Sequence, residues 1–283
     1  MRIAWLRRPG DGGFAVARDR GWVPLSDAGM DVADTPELMT RLGEVAEVVA
    51  SARGEALDES AVELGCPLVR PEKILGIGPN YLDHLRETGD AMPERPGMFA
   101  KLPNALTGPR DPILLDPATT DEADYEVELA AVIGRSVRRA DPARALEAVG
   151  AWCVADDVCA RDWQRVDGQF TRSKGFDSFC PAGPWLTTVE EVADVQALAL
   201  RCWVNGELRQ SSTTAEMMFT VAELVASLSE AVTLRPGDVI LTGTPQGAGF
   251  AMDPPRALAP GDVVRCEVEG LGALENEVVA DPA

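Results

Sequence analysis

Residues 124–134 read DYEVELAAVIG, an apolar run that opens with two carboxylates spaced two positions apart. In a β-strand successive side chains point to opposite faces, so Glu126 and Glu128 share one face. Tyr125 and Val127, with the odd-numbered positions after them, share the other face and are expected to point into a core. Like charges on neighbouring same-face positions repel each other unless water screens them or a cation bridges them. The run therefore predicts a strand that begins at a candidate cation site.

A third carboxylate follows about one crossover length later, in the pair Asp156-Asp157 after the apolar run Ala151–Ala155. Alternation sends these two aspartates to opposite faces, so one of them can join Glu126 and Glu128. Three carboxylate oxygens suit a hard divalent cation, and Mg²⁺, Mn²⁺ and Ca²⁺ are all chemically acceptable. The alternative is the solvated face of an antiparallel strand, where a Glu-x-Glu pair is ordinary and binds no metal.

The bulk composition indicates a soluble globular protein that is large enough to bury a substantial core. The chain has 283 residues, of which 46% are hydrophobic and 25% are charged, and its formal net charge is −20. This excess of negative charge argues against nucleic acid or an anionic membrane as a partner. An anionic substrate therefore needs local positive charge or a metal ion to hold it.

The cysteines and the N-terminus predict a cytoplasmic protein. The six cysteines include no C-x-x-C pair and are interpreted as reduced, mostly buried thiols. The first nine residues, MRIAWLRRP, contain no apolar stretch long enough for a signal peptide. No apolar run approaches the length of a transmembrane helix.

The first 70 residues are predicted to form a small αβ domain. Short strands are expected at Arg2–Leu6 and Phe14–Ala17, followed by an amphipathic helix from about Pro36 to Ala52. Thr35 is a suitable N-cap, with proline at the first helical position. The boundary is placed at Pro71, because the residue before a proline favours extended conformations.

Residues 71–283 are predicted to form a larger β-rich domain, since many short apolar runs are separated by glycine and proline. Helices are expected at about Pro142–Val149 and Thr214–Val232. Asn205-Gly206 between two apolar runs predicts a two-residue hairpin turn. Two Pro-Gly-Asp sequences, which begin at Pro236 and Pro260, predict type II turns before further strands.

The single histidine, His84, is a candidate general base. On a helical turn His84 and Glu87 are three residues apart and lie on one face. A carboxylate beside an imidazole raises its basicity and fixes its tautomer, which suits a base that acts on water. The alternative is an ordinary exposed His/Glu pair on a polar helix.

Polar side chains after Asp157 are candidates for substrate contact. Gln164 and Lys174 bring an amide and an ammonium group close in sequence to the third carboxylate, and the lysine can neutralise a developing enolate. The turn Thr242–Gly247 can bind a carboxylate through backbone N–H and hydroxyl groups. Each of these segments can equally be a surface loop with solvated side chains.

Taken together and in this order, the motifs resemble the fumarylacetoacetate hydrolase superfamily, in its branch of acylpyruvases and 2-hydroxyhepta-2,4-diene-1,7-dioate isomerases. The resemblance covers about residue 71 to the end of the chain. The matching segments are Lys73–Tyr81 with His84 and Glu87, Met98–Lys101, Asp124–Leu129, Asp156–Asp162, Lys174–Asp177, Pro236–Asp238 and Thr242–Pro245.

The resemblance implies a mixed β-sandwich roll, usually homodimeric, that binds Mg²⁺ or Mn²⁺ and a small 2-oxo or 2,4-dioxo acid. The residues it implies are the metal ligands Glu126, Glu128 and Asp157, the catalytic residues His84, Glu87 and Lys174, and the substrate-binding residues Gln164, Thr244 and Lys101.

Three functions are consistent with these residues and this resemblance. The first is a metal-dependent hydrolase that cleaves a C–C bond of an acylpyruvate-like acid, with water activated by His84 and Glu87 and the leaving enolate protonated with help from Lys174. The second is a decarboxylase or keto–enol isomerase of aromatic-compound catabolism that uses the same metal site. The third is a non-catalytic β-fold that binds a metal or a partner, which fits poorly with an intact His/Glu pair.

Overall fold

The computed structural model describes residues 1–8, 12–19, 21–52 and 56–281. Within these ranges nineteen strands, β1 to β19, and five helices, α1 to α5, are each numbered in chain order. The strands are Arg2–Arg7, Gly13–Arg18, Gly21–Pro24, Leu57–Asp58, Glu63–Gly65, Ile74–Ile77, Met98–Lys101, Leu106–Thr107, Ile113–Leu115, Ala123–Asp124, Val127–Ile133, Val149–Asp156, Cys159–Ala160, Cys180–Thr188, Ala199–Val204, Glu207–Thr213, Val239–Leu241, Val263–Val268 and Gly272–Ala280. The helices are Thr35–Thr40, Leu42–Ser51, Leu82–Thr88, Arg161–Asp167 and Val221–Ala231.

Most strands belong to two large mixed sheets. The first has the order β4-β3-β2-β1-β14-β12-β11-β17-β6-β7, with β5 added at β1 and β8 at β14. The second has the order β16-β15-β18-β19-β9, and β10 pairs with β13. The pairs β17–β6, β14–β8 and β19–β9 are parallel. The predicted β-rich α+β class with mixed sheets is confirmed.

The central strand β11 is buried on both faces. Leu129 packs with Leu200 and Leu274 of the second sheet, in the core between the two sheets. Ala130, on the opposite face of β11, shares a second core with Leu38 of α1. The predicted alternation is confirmed, because odd-numbered residues of β11 enter the first core and even-numbered ones the second.

The first sheet continues from the N-terminal residues into the rest of the chain. Strand β1 pairs antiparallel with β14, with Arg2 opposite Thr187 and Ile3 opposite Leu186. Residues 1–70 therefore add strands to a sheet that residues 71–283 also build. The division into two domains at residue 70 stays a proposal.

The N-terminal helix differs from its prediction in two respects. The expected helix Pro36–Ala52 is broken at Arg41 into α1 and α2. The N-cap is Asp34, whose carboxylate accepts a backbone N–H of the first turn at 2.9 Å. Thr35 is already helical, and its hydroxyl donates to the carbonyl of Pro67 at 2.8 Å. Thr35 was wrongly predicted as the cap because a tertiary contact engages its hydroxyl.

The predicted helix Thr214–Val232 is too long at its start. Helix α5 begins at Val221 behind a capping box, in which Glu223 N–H donates to the Thr220 hydroxyl at 3.3 Å and Thr220 N–H donates to the Glu223 carboxylate at 2.7 Å. Met217 forms an isolated β-bridge with the residue before α3. The preceding segment thus supports α3 instead of extending α5.

The predicted turns are observed. Asn205 and Gly206 have φ angles of 53° and 79°, the left-handed pair expected of a tight hairpin, and they join β15 to β16. Gly237 and Gly261 have φ angles of 85° and 99° in the two Pro-Gly turns. The short helix predicted near residues 142–149 is a 3₁₀ helix, Pro142–Ala148. Among the described residues, no helix is both long and apolar enough to cross a membrane.

Candidate metal centre and active site

Strands β11 and β12 bring three carboxylates together. Their antiparallel register pairs Val127 with Asp156, so the start of β11 lies beside the end of β12. Glu126, Glu128 and Asp157 each offer an oxygen, and these atoms lie within 4.8 Å of one another. The three residues are 6%, 1% and 0% exposed. The alternative of a solvated strand face is wrong, because both faces of β11 are covered.

Asp156 lies outside this carboxylate cluster. Its Oδ1 accepts the backbone N–H of Glu126 at 2.8 Å, so it ties the end of β12 to the start of β11. Burial raises the pKa of Asp156 to about 7. Alternation thus separates the two aspartates as expected, and only Asp157 joins the cluster.

Positive side chains neutralise Glu126 and Asp157. Lys174 Nζ lies 2.6 Å from Glu126 Oε2 and 2.6 Å from Asp157 Oδ2. Arg161 reaches Glu126 Oε1 at 2.5 Å, and Lys101 reaches Asp157 Oδ1 at 2.6 Å. Burial alone raises the pKa of Glu126, but the charges of Lys174 and Arg161 outweigh it and lower this pKa to about 2. Burial lowers the pKa of Lys174, yet its two carboxylate partners raise that pKa overall, so the amine stays charged.

Glu128 has no ion pair within the described ranges of the chain. Its Oε2 accepts the N–H of Gly243 at 2.7 Å. Burial and then the negative charge of Asp157 raise the pKa of Glu128 well above its ordinary value. A cation beside Glu128 would relieve this cost, and an all-oxygen donor set is what Mg²⁺, Mn²⁺ and Ca²⁺ prefer. The three carboxylates therefore fit a hard divalent cation.

Replacing Glu128 with glutamine is expected to stabilise the metal-free protein while weakening metal binding. The Glu128→Gln variant replaces a buried carboxyl group that has no ion pair in the described structure and whose ionisation is unfavourable, so Tm in EDTA should rise by about 2–4 °C. Its affinity for Mn²⁺ should fall by about 100-fold, because one of three anionic ligands is lost. Calorimetry measures both quantities. Glu147→Gln, at an exposed ion pair with Arg144, is the control, and a lower Tm with unchanged Mn²⁺ binding in Glu128→Gln would contradict the assignment.

Helix α3 carries the histidine and its neighbouring acid. His84 Nδ1 and Glu87 Oε2 are 3.5 Å apart, on one face of the helix as predicted. Both oxygens of Glu87 lie 3.1 Å from the N–H of Gly247, which donates to this carboxylate. Glu87 therefore links α3 to the loop after β17 and also lies beside the imidazole of His84.

A cavity of about 400 Å³ lies beside the carboxylates, and α3 contributes His84 to its wall. The predicted residues His84, Glu126, Gln164, Lys174 and Thr244 line it, whereas Glu87, Glu128 and Asp157 do not. The other lining residues are Ile77, Gly78, Pro79, Thr88, Asp90, Phe99, Arg161, Phe170 and Phe250.

Lys101 does not line this cavity. Its side chain is fully buried, and its Nζ contacts Asp157 Oδ1 and donates to the carbonyl of Val158 at 3.2 Å. In this position it holds a carboxylate of the cluster from behind. Direct contact of Lys101 with a substrate stays a prediction.

Gln164 and Thr244 face the cavity from two different elements. Gln164 lies on α4, and its Oε1 accepts from Arg161 Nη1 at 3.1 Å. The Thr244 hydroxyl donates to the carbonyl of Val127 at 3.0 Å and accepts from Gln210 Nε2 at 2.8 Å. Both side chains are held by hydrogen bonds and present fixed polar groups to a ligand.

Sequence reasoning assigned no role to Arg161 and Asp124, although both are part of the site. Arg161 is 7% exposed and bridges Glu126 to Asp124, whose Oδ2 lies 2.9 Å from Arg161 Nε. Asp124 ends β10 and Arg161 directly follows β13, and these two short strands form an antiparallel pair. Two opposite charges at the ends of neighbouring strands were the signal for this contact. Recognising it requires knowing that these two short strands are partners.

A larger cavity, of about 590 Å³, lies in the N-terminal part of the molecule. Trp5, Phe14 and Met30 form apolar parts of its wall, and Arg8 and Arg70 contribute charge. It contains none of the predicted site residues. The carboxylate cluster, the histidine and the charged lysine meet only at the smaller cavity, which is the stronger candidate for catalysis.

Comparison with known proteins establishes the family. The family described as fumarylacetoacetate (FAA) hydrolase C-terminal matches residues 73–279, which is more than half of the chain. The chain belongs to the fumarylacetoacetate hydrolase family. The predicted family and the implied fold are therefore confirmed, and the protein is an enzyme of this family.

Three proteins that are similar to this chain carry names for different reactions. "Oxaloacetate tautomerase FAHD2B, mitochondrial" of Bos taurus is 47% identical over 225 residues, which cover 79% of this chain and 71% of that protein. The 2-hydroxyhepta-2,4-diene-1,7-dioate isomerase of Mycobacterium marinum matches with a TM-score of 0.78 and 32% identity over 100% of both chains. The maleylpyruvate hydrolase of Sphingobium sp. SYK-6, solved with manganese(II) and pyruvate, matches with a TM-score of 0.83 and 29% identity over 99% of this chain and 100% of that one.

Proposed function

We propose that this enzyme is a divalent-metal-dependent keto–enol tautomerase of a short 2-oxo acid, with oxaloacetate as its substrate. The observation that carries the proposal is one cavity lined by His84, by a charged Lys174 and by Glu126 of the carboxylate cluster. Enolisation of a 2-oxo acid needs a group that accepts the proton from carbon and a positive charge that stabilises the enolate oxygen. Oxaloacetate is chosen because the Bos taurus relative carries that name.

The proposed metal is Mg²⁺ or Mn²⁺, held by Glu126, Glu128 and Asp157, and Ca²⁺ has the same ligand preference. When bound, such a cation supplies a Lewis acid that favours the enolate form of a 2-oxo acid. Lys174 and Arg161 supply further positive charge at the cavity wall. They meet the requirement that a protein of net charge −20 must concentrate positive charge where an anion binds.

Tautomerisation requires one proton to leave carbon and one to reach oxygen. His84 removes a proton from C3 of the keto acid, and the electron pair forms the C2–C3 double bond while the C2 carbonyl electrons move to oxygen. The Lys174 ammonium stabilises the negative charge that develops on that oxygen, which then takes a proton from solvent. The imidazolium returns its proton to solvent, so the reaction is balanced without a co-reactant.

Gln164 and Thr244 are proposed to orient the substrate through its carboxylate groups. Gln164 and Thr244 both line the cavity, and both follow the three carboxylates in sequence. The Gln164 amide group can donate to a carboxylate without adding charge to the site, whereas the Thr244 hydroxyl must give up its bond to the Val127 carbonyl to do so. Glu87 is proposed to orient His84 through its carboxylate, which lies 3.5 Å from His84 Nδ1.

The decay of freshly dissolved enol-oxaloacetate tests the proposed activity. The purified protein with Mg²⁺ should accelerate the loss of enol absorbance, and EDTA should abolish the acceleration. Pyruvate and CO₂ as the products from oxaloacetate would instead identify a decarboxylase. An enol decay that the Mg²⁺-loaded protein leaves at the buffer rate would overturn the proposal.

Hydrolysis of a C–C bond is the second candidate function. It is favoured by the His84–Glu87 pair, which can activate water, and by the structural likeness to a maleylpyruvate hydrolase. Proton NMR of acetylpyruvate with the Mg²⁺-loaded protein distinguishes the two candidates. Acetate and pyruvate appear as products only if the C–C bond is cleaved.

We also propose that the enzyme is a homodimer. The support is the family resemblance, in which two-subunit assemblies are usual. Light scattering coupled to size-exclusion chromatography measures the mass directly, against 30.2 kDa for one chain. A mass of one chain at micromolar concentration would contradict the assembly and leave the proposed chemistry unaffected.

A further inference from the structure

Phe250 occupies the side of the cavity next to His84. It lies in the short 3₁₀ turn Gly249–Ala251 after β17, and 37% of its surface is exposed. Its ring meets the imidazole edge-on with centroids 5.9 Å apart. The guanidinium carbon of Arg161 lies 4.2 Å from the centre of the same ring. One aromatic side chain therefore contacts both the proposed base and a buried cation of the site.

Hydrogen bonds to the buried Asp124 fix the backbone that carries Phe250. Asp124 Oδ1 accepts the N–H of Gly249 at 2.8 Å, and Oδ2 accepts the N–H of Phe250 at 3.2 Å. Arg161 Nε donates to the same Oδ2 at 2.9 Å. A Cβ on Gly249 would lie 2.1 Å from the carbonyl oxygen of Arg256, so the chain is tightly packed here. The position of the ring is set by these contacts and is not that of a loose surface loop.

The Phe250 ring covers one side of the His84 imidazole. The imidazole side chain is only 12% exposed. Its Nδ1 is buried and, within the described residues, makes no hydrogen bond of normal geometry. A water molecule held beside the imidazole needs space and two or more polar partners, and the Phe250 ring supplies hydrocarbon at that place. The ring thus limits the access of water to the proposed base.

We propose that Phe250 is a specificity-determining residue that excludes the water needed for C–C hydrolysis and so directs the site towards tautomerisation. This inference rests on the proposed function of the same site. A ring that keeps water from lying between the imidazole and the substrate suppresses the reaction that consumes this water, whereas tautomerisation needs only proton exchange with solvent through the rest of the cavity. A phenyl ring beside the base achieves this without a moving element.

The two competing reactions differ in the source of the proton that His84 accepts. In tautomerisation the proton comes from C3 of the substrate itself. In hydrolysis of a 2,4-dioxo acid His84 takes a proton from water, the water oxygen bonds to C4, and the C3–C4 bond breaks. Its electron pair stays on the pyruvate enolate, which is then protonated at C3. Only the second reaction needs a water molecule between the imidazole and C4, on the side that Phe250 covers.

The test compares two rates in each variant of the full-length, Mg²⁺-loaded protein. The first is ketonisation of enol-oxaloacetate, followed by absorbance, and the second is acetate release from acetylpyruvate, followed by proton NMR. In Phe250→Ala the ratio of cleavage to ketonisation, in kcat/KM, should rise about tenfold or more. Phe250→Leu, which keeps apolar bulk, should stay within about threefold of the wild type. A general loss of folded protein lowers both rates and leaves the ratio unchanged.

Phe170 supplies a matched control. It lines the same cavity but packs edge-on against Phe99, at 5.5 Å between centroids, and not against the histidine. Phe170→Ala should enlarge the cavity without changing the ratio. An unchanged ratio in Phe250→Ala, or an equal rise in Phe170→Ala, would overturn the inference alone. Absence of ketonisation by the wild-type protein would overturn the proposed function as well.

Discussion

Replacement of His84 by glutamine is expected to reduce tautomerase activity by about a thousandfold while leaving the metal content unchanged. A positioned general base contributes roughly 10²–10⁴ to the rate, and glutamine keeps the size of the side chain without its basicity. His84 is the only histidine of the chain, so no second imidazole can substitute for it. The measurement is kcat/KM for enol-oxaloacetate, with bound metal determined by atomic absorption.

A change on the other side of helix α3 serves as the comparison for His84→Gln. Arg86 has a side chain that is 67% exposed and pairs with Glu216 at the surface. Arg86→Gln should retain the wild-type rate, because an exposed ion pair contributes little to stability. Loss of bound metal in His84→Gln would show that the histidine supports the cation and would contradict its assignment as the base.

Replacement of Lys174 by methionine is expected to impair both stability and catalysis. Its ammonium lies 2.6 Å from an oxygen of Glu126 and 2.6 Å from an oxygen of Asp157, and the residue is 3% exposed. Removing one partner of a buried ion pair costs about 3–5 kcal/mol, so the metal-free variant should unfold at a markedly lower temperature. The rate should fall by roughly 10²–10³, the loss typical of one preorganised electrostatic contact.

Added Mg²⁺ distinguishes this explanation from a general packing defect. A divalent cation supplies the positive charge that Lys174→Met lacks, so Mg²⁺ should raise Tm more in the variant than in the wild type. Arg165→Met removes a surface pair with Glu122, whose side chains are 62% and 41% exposed, and should change Tm by little. Equal Mg²⁺-induced shifts in wild type and Lys174→Met would show that the ammonium does not balance the carboxylates.

The sequence predicted the central features of the site because they depend on local periodicity. The proximity of Glu128 on β11 and Glu126 just before this strand follows from the period of two in an extended chain. The proximity of His84 and Glu87 follows from the helical turn. Both are geometric properties of a single element, so no partner element had to be known. Glycine at the left-handed position of the hairpin, Gly206, is predictable for the same reason.

The boundaries of helices were predicted less well, because competing partners decide them. Thr35 is a good N-cap by residue type, but Asp34 caps α1 while the Thr35 hydroxyl bonds to Pro67 from another part of the chain. Met217 lies within the predicted helix Thr214–Val232, yet its backbone forms a β-bridge beside α3. In each case a group that could support the local helix instead bonds to a residue that is distant in sequence.

By itself, the sequence determined the class of the fold and pointed to the acidic residues of the candidate metal centre and to the histidine, because residue type and period carry that information. Only the tertiary structure decided how the charges are compensated. Lys174 and Arg161 share Glu126, whereas Glu128 has no ion pair in the described structure. Such pairing depends on distances between side chains that come from four separate elements. A sequence does not distinguish a buried carboxylate whose partner lies 2.6 Å away from one that has no ion pair. The free energies of burying these two groups differ on the order of kcal/mol.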